Sequence, residues 1–152
     1  MGRLRYIQTS VDKVGAMMTL GRGALVSGST KQRLNCKSST DTEIVAVDNY
    51  MPIILWCSYF IEWQGYILKT ILYQDNQSAE LLENNGMSSM GRQSRHINIR
   101  YFFITDRVKN GDLSIEHCGT EDMVADYFTK PLQGAKFRKF RKLIMNEKEE
   151  IN

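Results

Sequence analysis

Three acidic residues sit in settings that could do chemistry. Glu43 closes the word Ser39-Thr40-Asp41-Thr42-Glu43, Asp75 follows the apolar run Ile71-Leu72-Tyr73-Gln74, and Asp126 lies in Ala125-Asp126-Tyr127-Phe128-Thr129-Lys130-Pro131. Carboxylates converging from separate elements are the donor set of a two-metal phosphodiester-cleaving site, because hard divalent cations take oxygen ligands. Each residue also has a plainer reading. Thr40-x-x-Glu43 is a capping box, in which both side chains satisfy orphan amides at a helix start. Asp75-Asn76 after a strand suits a turn or a helix cap. Asp126, four residues after Asp122, can sit on a solvated helix face.

The elements that must position these residues follow from hydrophobic period. Gly15 to Leu20 and Ala24 to Ser29, separated by Gly21-Arg22-Gly23, read as a β-hairpin with a three-residue loop. Ser39 to Gly65 reads as a helix: Ile44, Val47, Met51, Ile54, Leu55 and Tyr59 recur at steps of three and four. Pro52 lacks an amide hydrogen and is expected to kink this helix or split it. Ile67 to Tyr73 is a buried strand, Gln77 to Asn84 a short helix, and 86–95 a polar loop. Ile97 to Val108 is a helix with Ile97, Tyr101, Ile104 and Val108 on one face. Asn110-Gly111 makes a turn before a strand over Leu113 to His117. Thr120 to Lys130 is expected as a helix that Pro131 interrupts, and Ala135 to Met145 as a basic amphipathic helix. The order ββ-α-β-α-α-β-α predicts an α/β sheet domain. Asp75 then lies at the carboxyl end of a strand, where ligands gather in open α/β folds.

Composition narrows the classes. At 152 residues the chain makes one domain with room for a core, and 42% hydrophobic with 24% charged residues is ordinary for a globular protein. A net charge of +3 permits a polyanionic partner without requiring one. The cations Lys136, Arg138, Lys139, Arg141 and Lys142 gather near the C-terminus, where they face either water or phosphate. Cys36, Cys57 and Cys118 are odd in number and form no C-x-x-C pair, so free thiols are expected. The stretch Met51 to Ile61 contains Pro52 and Ser58 and falls short of the ~20 apolar residues of a membrane span. No apolar h-region follows Met1-Gly2-Arg3-Leu4-Arg5. No membrane partner is expected, and an intracellular place, cytoplasm or nucleus, follows.

Four words, in order, carry a resemblance. Lys31-Gln32 with Ser38-Ser39-Thr40-Asp41-Thr42-Glu43, Tyr73-Gln74-Asp75-Asn76-Gln77-Ser78-Ala79, Arg95-His96-Ile97-Asn98-Ile99-Arg100-Tyr101 and Ala125-Asp126-Tyr127-Phe128-Thr129-Lys130-Pro131-Leu132 resemble motifs of copia-type LTR retrotransposon Pol polyproteins. The likeness spans about residues 15–145 and is to the ribonuclease H domain at the C-terminal end of that polyprotein. It implies a ribonuclease H-like α/β fold, a mixed sheet flanked by helices, with the first strand missing or degenerate. It implies a reaction: hydrolysis of the RNA strand of an RNA–DNA hybrid by two Mg²⁺ ions, with Mn²⁺ as a substitute. Glu43, Asp75 and Asp126 would be catalytic metal ligands. Ser39, Thr40, Asn76 and Gln77 would contact the hybrid, and a reverse transcriptase domain would precede in the ancestor. His96 would either pack beside Tyr101 or move a proton near the metals.

The sequence departs from that pattern at its start. Gly15-Ala16, where the family's second strand begins, is fourteen residues from Met1, and Asp12 is the only acidic residue before Asp41. Residues 1–14 are expected to form a degenerate segment, 15–146 the domain and 147–152 a charged tail. The expected chain is an N-terminally truncated copy, inactive through loss of the first-strand Asp, with a central strand missing or improvised from Leu4 to Thr9. A non-catalytic nucleic-acid-binding module and a functionless transposon remnant are the alternatives.

Overall fold

The computed structural model describes residues 2–6, 8–9, 13–34, 36, 39–74 and 95–147, with backbone alone at 2–6, 8–9, 40, 95 and 96. Six strands and four helices are assigned among them: β1 (Gly2–Tyr6), β2 (Gln8–Thr9), β3 (Lys13–Met18), β4 (Val26–Lys31), α1 (Ser39–Trp63), β5 (Leu68–Gln74), α2 (Arg95–Lys109), β6 (Ser114–His117), α3 (Asp126–Thr129) and α4 (Gly134–Met145). The expected short helix at 77–84 and loop at 86–95 fall almost entirely outside the described residues.

The strands form a parallel and an antiparallel group. β5 lies between β1 and β6 and is parallel to both, while β3 lies between β2 and β4 and is antiparallel to both. The start of the chain joins the two groups. Gly2 to Tyr6 pair in parallel with Leu68 to Leu72, and Gln8 and Thr9 pair with Gly15 and Val14. The central strand is therefore improvised from the chain's first residues rather than missing. The edge that its absence would have left open is paired. Mixed strand directions with flanking helices match the ribonuclease H-like α/β class expected from the sequence.

Helix α1 runs unbroken through Pro52, which stands on the exposed side. A proline removes one backbone hydrogen bond, and the buried stretches on both sides of it hold the helix together. Ile44, Val47, Met51, Ile54 and Cys57 join one core with Ala16, Met17 and Met18 of β3, Leu72 of β5, Ile97, Tyr101 and Ile104 of α2, and Ile115 of β6. Of the expected seam, Leu55 only touches this core and Tyr59 is exposed. By length and composition Asp41–Trp63 is apolar enough to cross a membrane, contrary to the reading of Met51 to Ile61 alone. One face of it lies in the shared core. Inside the contact with β5, the hydroxyls of Ser58 and Thr70 satisfy each other at 2.7 Å.

The segment before α3 corrects another expectation. Only Asp126–Thr129 is helical, not Thr120 to Lys130. The amides of Asp122, Asp126, Tyr127 and Phe128 each donate to the carbonyl three residues earlier, the tighter bonding of turns and 3₁₀ segments. Helices α1, α2 and α4 close alike. Tyr66, Asp112 and Glu147 donate to the carbonyls of Ile61, Arg107 and Lys142, five residues back, which satisfies last-turn carbonyls.

Candidate functional site

Gly15 fixes where Asp126 sits. A Cβ on Gly15 would come within 2.5 Å of Thr129 Cγ2 and 2.8 Å of the Ala125 carbonyl oxygen, so only a glycine lets α3 lie this close to β3. That approach buries the first residue of α3. Asp126 is 1% exposed. A carboxylate so removed from water needs compensating charge. Two lysines supply it: Lys130 Nζ is 2.6 Å from Oδ1 and Lys136 Nζ is 3.6 Å from Oδ2. The Lys130 contact is an ion pair without hydrogen-bond alignment, since Oδ1 accepts no hydrogen bond. Lys136 also donates to the Thr120 carbonyl at 2.8 Å and lies 5.5 Å from the centre of the Phe140 ring. One ammonium thus ties α3, the turn before it and α4 together.

Glu43 sits in the first turns of α1, partly buried, with Oε2 turned into the protein. Ser39 is exposed at the start of α1, and the Thr40 side chain lies outside the described residues. So do Asp75, Asn76, Gln77 and the side chain of His96. Gln74, immediately before Asp75, is 4% exposed, accepts the Cys118 amide on its backbone carbonyl at 2.8 Å, and keeps a buried Oε1 with no hydrogen-bond partner among the described residues. The carboxyl ends of β5 and β6 therefore meet at Gln74 and Cys118.

As a metal cage the described residues do not fit. Carboxylate oxygens are the right donors for Mg²⁺, but both oxygens of Asp126 face ammonium groups that a cation would have to displace. Among the described residues no three of His, Cys, Asp and Glu converge. The stretch joining the two strand groups contributes only Gly2-Arg3-Leu4-Arg5-Tyr6 and Gln8-Thr9, with no carboxylate.

The sequence reading overlooked the lysines as partners of Asp126. Lys130 was legible, because residues four apart meet on a helix. Lys136 was not, since it reaches Asp126 from a different helix. All three cysteines are free, as expected, and burial raises the Cys57 thiol above its ordinary pKa. On the exposed side of the same corner, Lys139 donates to Asp122 at 2.7 Å and lowers that carboxyl's pKa.

Comparison with known proteins identifies the ancestry. A retrovirus-related Pol polyprotein from transposon RE2 of Arabidopsis thaliana is 30% identical over 141 residues, 91% of this chain and 9% of the relative. The Pol polyprotein from transposon RE1 of the same plant is 32% identical over 137 residues, 89% of this chain and 9% of the relative. The sequence homologues are retrotransposon Pol polyproteins. A third, from transposon TNT 1-94 of Nicotiana tabacum, is 27% identical over 139 residues, covering 91% of the chain and 10% of that polyprotein. The chain spans about a tenth of the length of the curated relatives it matches. No family model matches. Among solved structures, RNase H1 from the halophilic archaeon Halobacterium salinarum NRC-1 aligns at TM-score 0.45 and 14% identity, over 78% of this chain and 87% of that one.

Proposed function

We propose that this chain is a retrotransposon-derived ribonuclease H domain that keeps the sheet and has lost cleavage. Its ancestral reaction is two-metal hydrolysis of the RNA strand of an RNA–DNA hybrid, next to a reverse transcriptase domain in the same polyprotein. Glu43, Asp75 and Asp126 are what remains of the metal ligands, and Ser39, Thr40, Asn76 and Gln77 of the contacts to the hybrid. The observation that carries the reading is the stretch Gly2–Tyr6 and Gln8–Thr9. It occupies the central strand position, beside β5 and β3, without a carboxylate. The hold of Lys130 and Lys136 on Asp126 supports it, because a carboxylate neutralised by ammonium groups is a poorer ligand for Mg²⁺ or Mn²⁺.

A labelled RNA–DNA hybrid incubated with the chain and Mg²⁺ or Mn²⁺ tests this reading. No metal-dependent cleavage is expected. Cleavage by the natural sequence that Glu43→Gln abolishes would overturn the loss of activity and restore the catalytic assignment.

A further inference from the structure

A cleft of about 1110 Å³ opens between the hairpin loop and α4 and reaches Ala125, the residue before Asp126. One wall is the loop Gly21-Arg22-Gly23, fixed to α4 by the Ala24 amide, which donates to the Ile144 carbonyl at 2.9 Å. The other wall is the α4 face that carries Arg138, Lys142 and Leu143. Met17, Tyr73 and Met123 form a largely apolar floor that reaches the ends of β5 and β6 at Tyr73 and Cys118.

Its charge is unbalanced. Asp122 and Glu147 also line it, but Asp122 is engaged by Lys139 at 2.7 Å and Glu147 by Arg141 at 3.1 Å. Arg22, Arg138 and Lys142 make no ion pair among the described residues, and all three are exposed. Cations on facing walls above an apolar floor attract a ligand that carries charge along its edge and flat apolar groups along its centre. A nucleic-acid strand with unpaired bases has that form: phosphates meet the cations, and bases lie on the floor. A duplex keeps its bases stacked inside and cannot use the floor. The volume, just above the usual range for ligand pockets, suits a few nucleotides of one strand.

We propose that this cleft binds a single nucleic-acid strand through Arg22, Arg138 and Lys142. Neither Glu43 nor Asp126 lines the cleft, and binding of the strand is tested independently of whether the hybrid is cut.

The test is fluorescence anisotropy of the full chain with a labelled oligothymidylate and with an RNA–DNA hybrid of equal length, over a salt series. Arg22→Glu/Lys142→Glu is compared with Lys109→Glu, a charge reversal at the far end of α2. Far-ultraviolet circular dichroism checks that each variant is folded, and Arg138→Gln is a milder alternative. The natural chain is expected to bind the single strand more tightly than the hybrid. The double reversal should weaken that binding at least about tenfold and reduce the log–log salt slope by about 1.4, two contacts at about 0.7 each. Lys109→Glu should leave it nearly unchanged. Absent single-strand binding, equal loss in Lys109→Glu, or a hybrid bound as tightly through the same residues would each overturn the proposal. Cleavage of the hybrid would overturn the loss of activity proposed above and leave the cleft intact.

Discussion

Helices α1 and α3 both pack on β3, against faces that alternate along the strand, yet they are held by different forces. Along α1, Ile44, Val47, Met51 and Ile54 meet Ala16 and Met18 in a continuous apolar core. On the other face, α3 reaches β3 because Gly15 has no side chain, and what it buries there is the charged Asp126. Apolar burial gains with each methylene and asks little of partner geometry. A buried carboxylate costs several kcal/mol unless cations stand close to it. The α1 side therefore tolerates Pro52 and a rim of exposed aromatic residues, whereas the α3 side depends on two particular ammonium groups.

The sharpest way to break the comparison is to remove those ammonium groups. Lys130→Met/Lys136→Met leaves the Asp126 carboxyl at 1% exposure without a cation beside it. Breaking a buried pair from one side costs about 3–5 kcal/mol. Urea unfolding should show a loss of that size. Adding Asp126→Asn should recover most of it, since an amide carries no charge to be orphaned. A double lysine variant as stable as the natural chain would mean that Asp126 does not rely on them.

The matching change on the other face is Ile44→Ala. Ile44 is fully buried, so truncation removes transfer energy and leaves a cavity, at a cost of about 3 kcal/mol. The two losses should separate on adding Asp126→Asn, which removes the orphaned group of the lysine variant and leaves the cavity at Ile44 as it was. Equal recovery in the two variants would erase the distinction between the faces.

The same contrast explains what could be read from the sequence. Apolar period placed α1, α2, β5 and β6 to within a few residues, because those elements are set by which side chains leave water. The hairpin was legible from Gly21 and Gly23. The improvised strand was not: the polar–apolar alternation of Arg3-Leu4-Arg5-Tyr6 is too short to mark a strand, and Gly2–Tyr6 and Gln8–Thr9 are strands because β5 and β3 offer edges to pair with. The segment from Thr120 to Ala125 looked helical by composition, but the close seat of α3 on Gly15 draws it into turns. At the candidate site the motif words located Glu43, Asp75 and Asp126, but words report ancestry. Asp126 is held by Lys130 and also by Lys136, ten residues on and on another helix, which no local pattern announces.

The smallest expected effect is on pH, and it separates the faces again. Burial raises the thiol of Cys57 above its ordinary 9.0 and the phenol of Tyr101 above its ordinary 10.0. Both belong to the apolar core. A group whose folded pKa is raised binds its proton more tightly when folded. It therefore contributes full stability below the unfolded pKa and loses that stability as pH rises through the folded one. From about pH 9 upward the unfolded chain releases protons that the folded chain retains, so the melting temperature should fall. Cys57→Ala should flatten the first part of that fall, from about pH 9 to 10, and Tyr101→Phe the part above it. Because neither group is charged near neutrality, stability between about pH 6 and 8 should not respond to them. If Cys57→Ala leaves the alkaline slope unchanged, the thiol is not held in the apolar core as tightly as its burial requires.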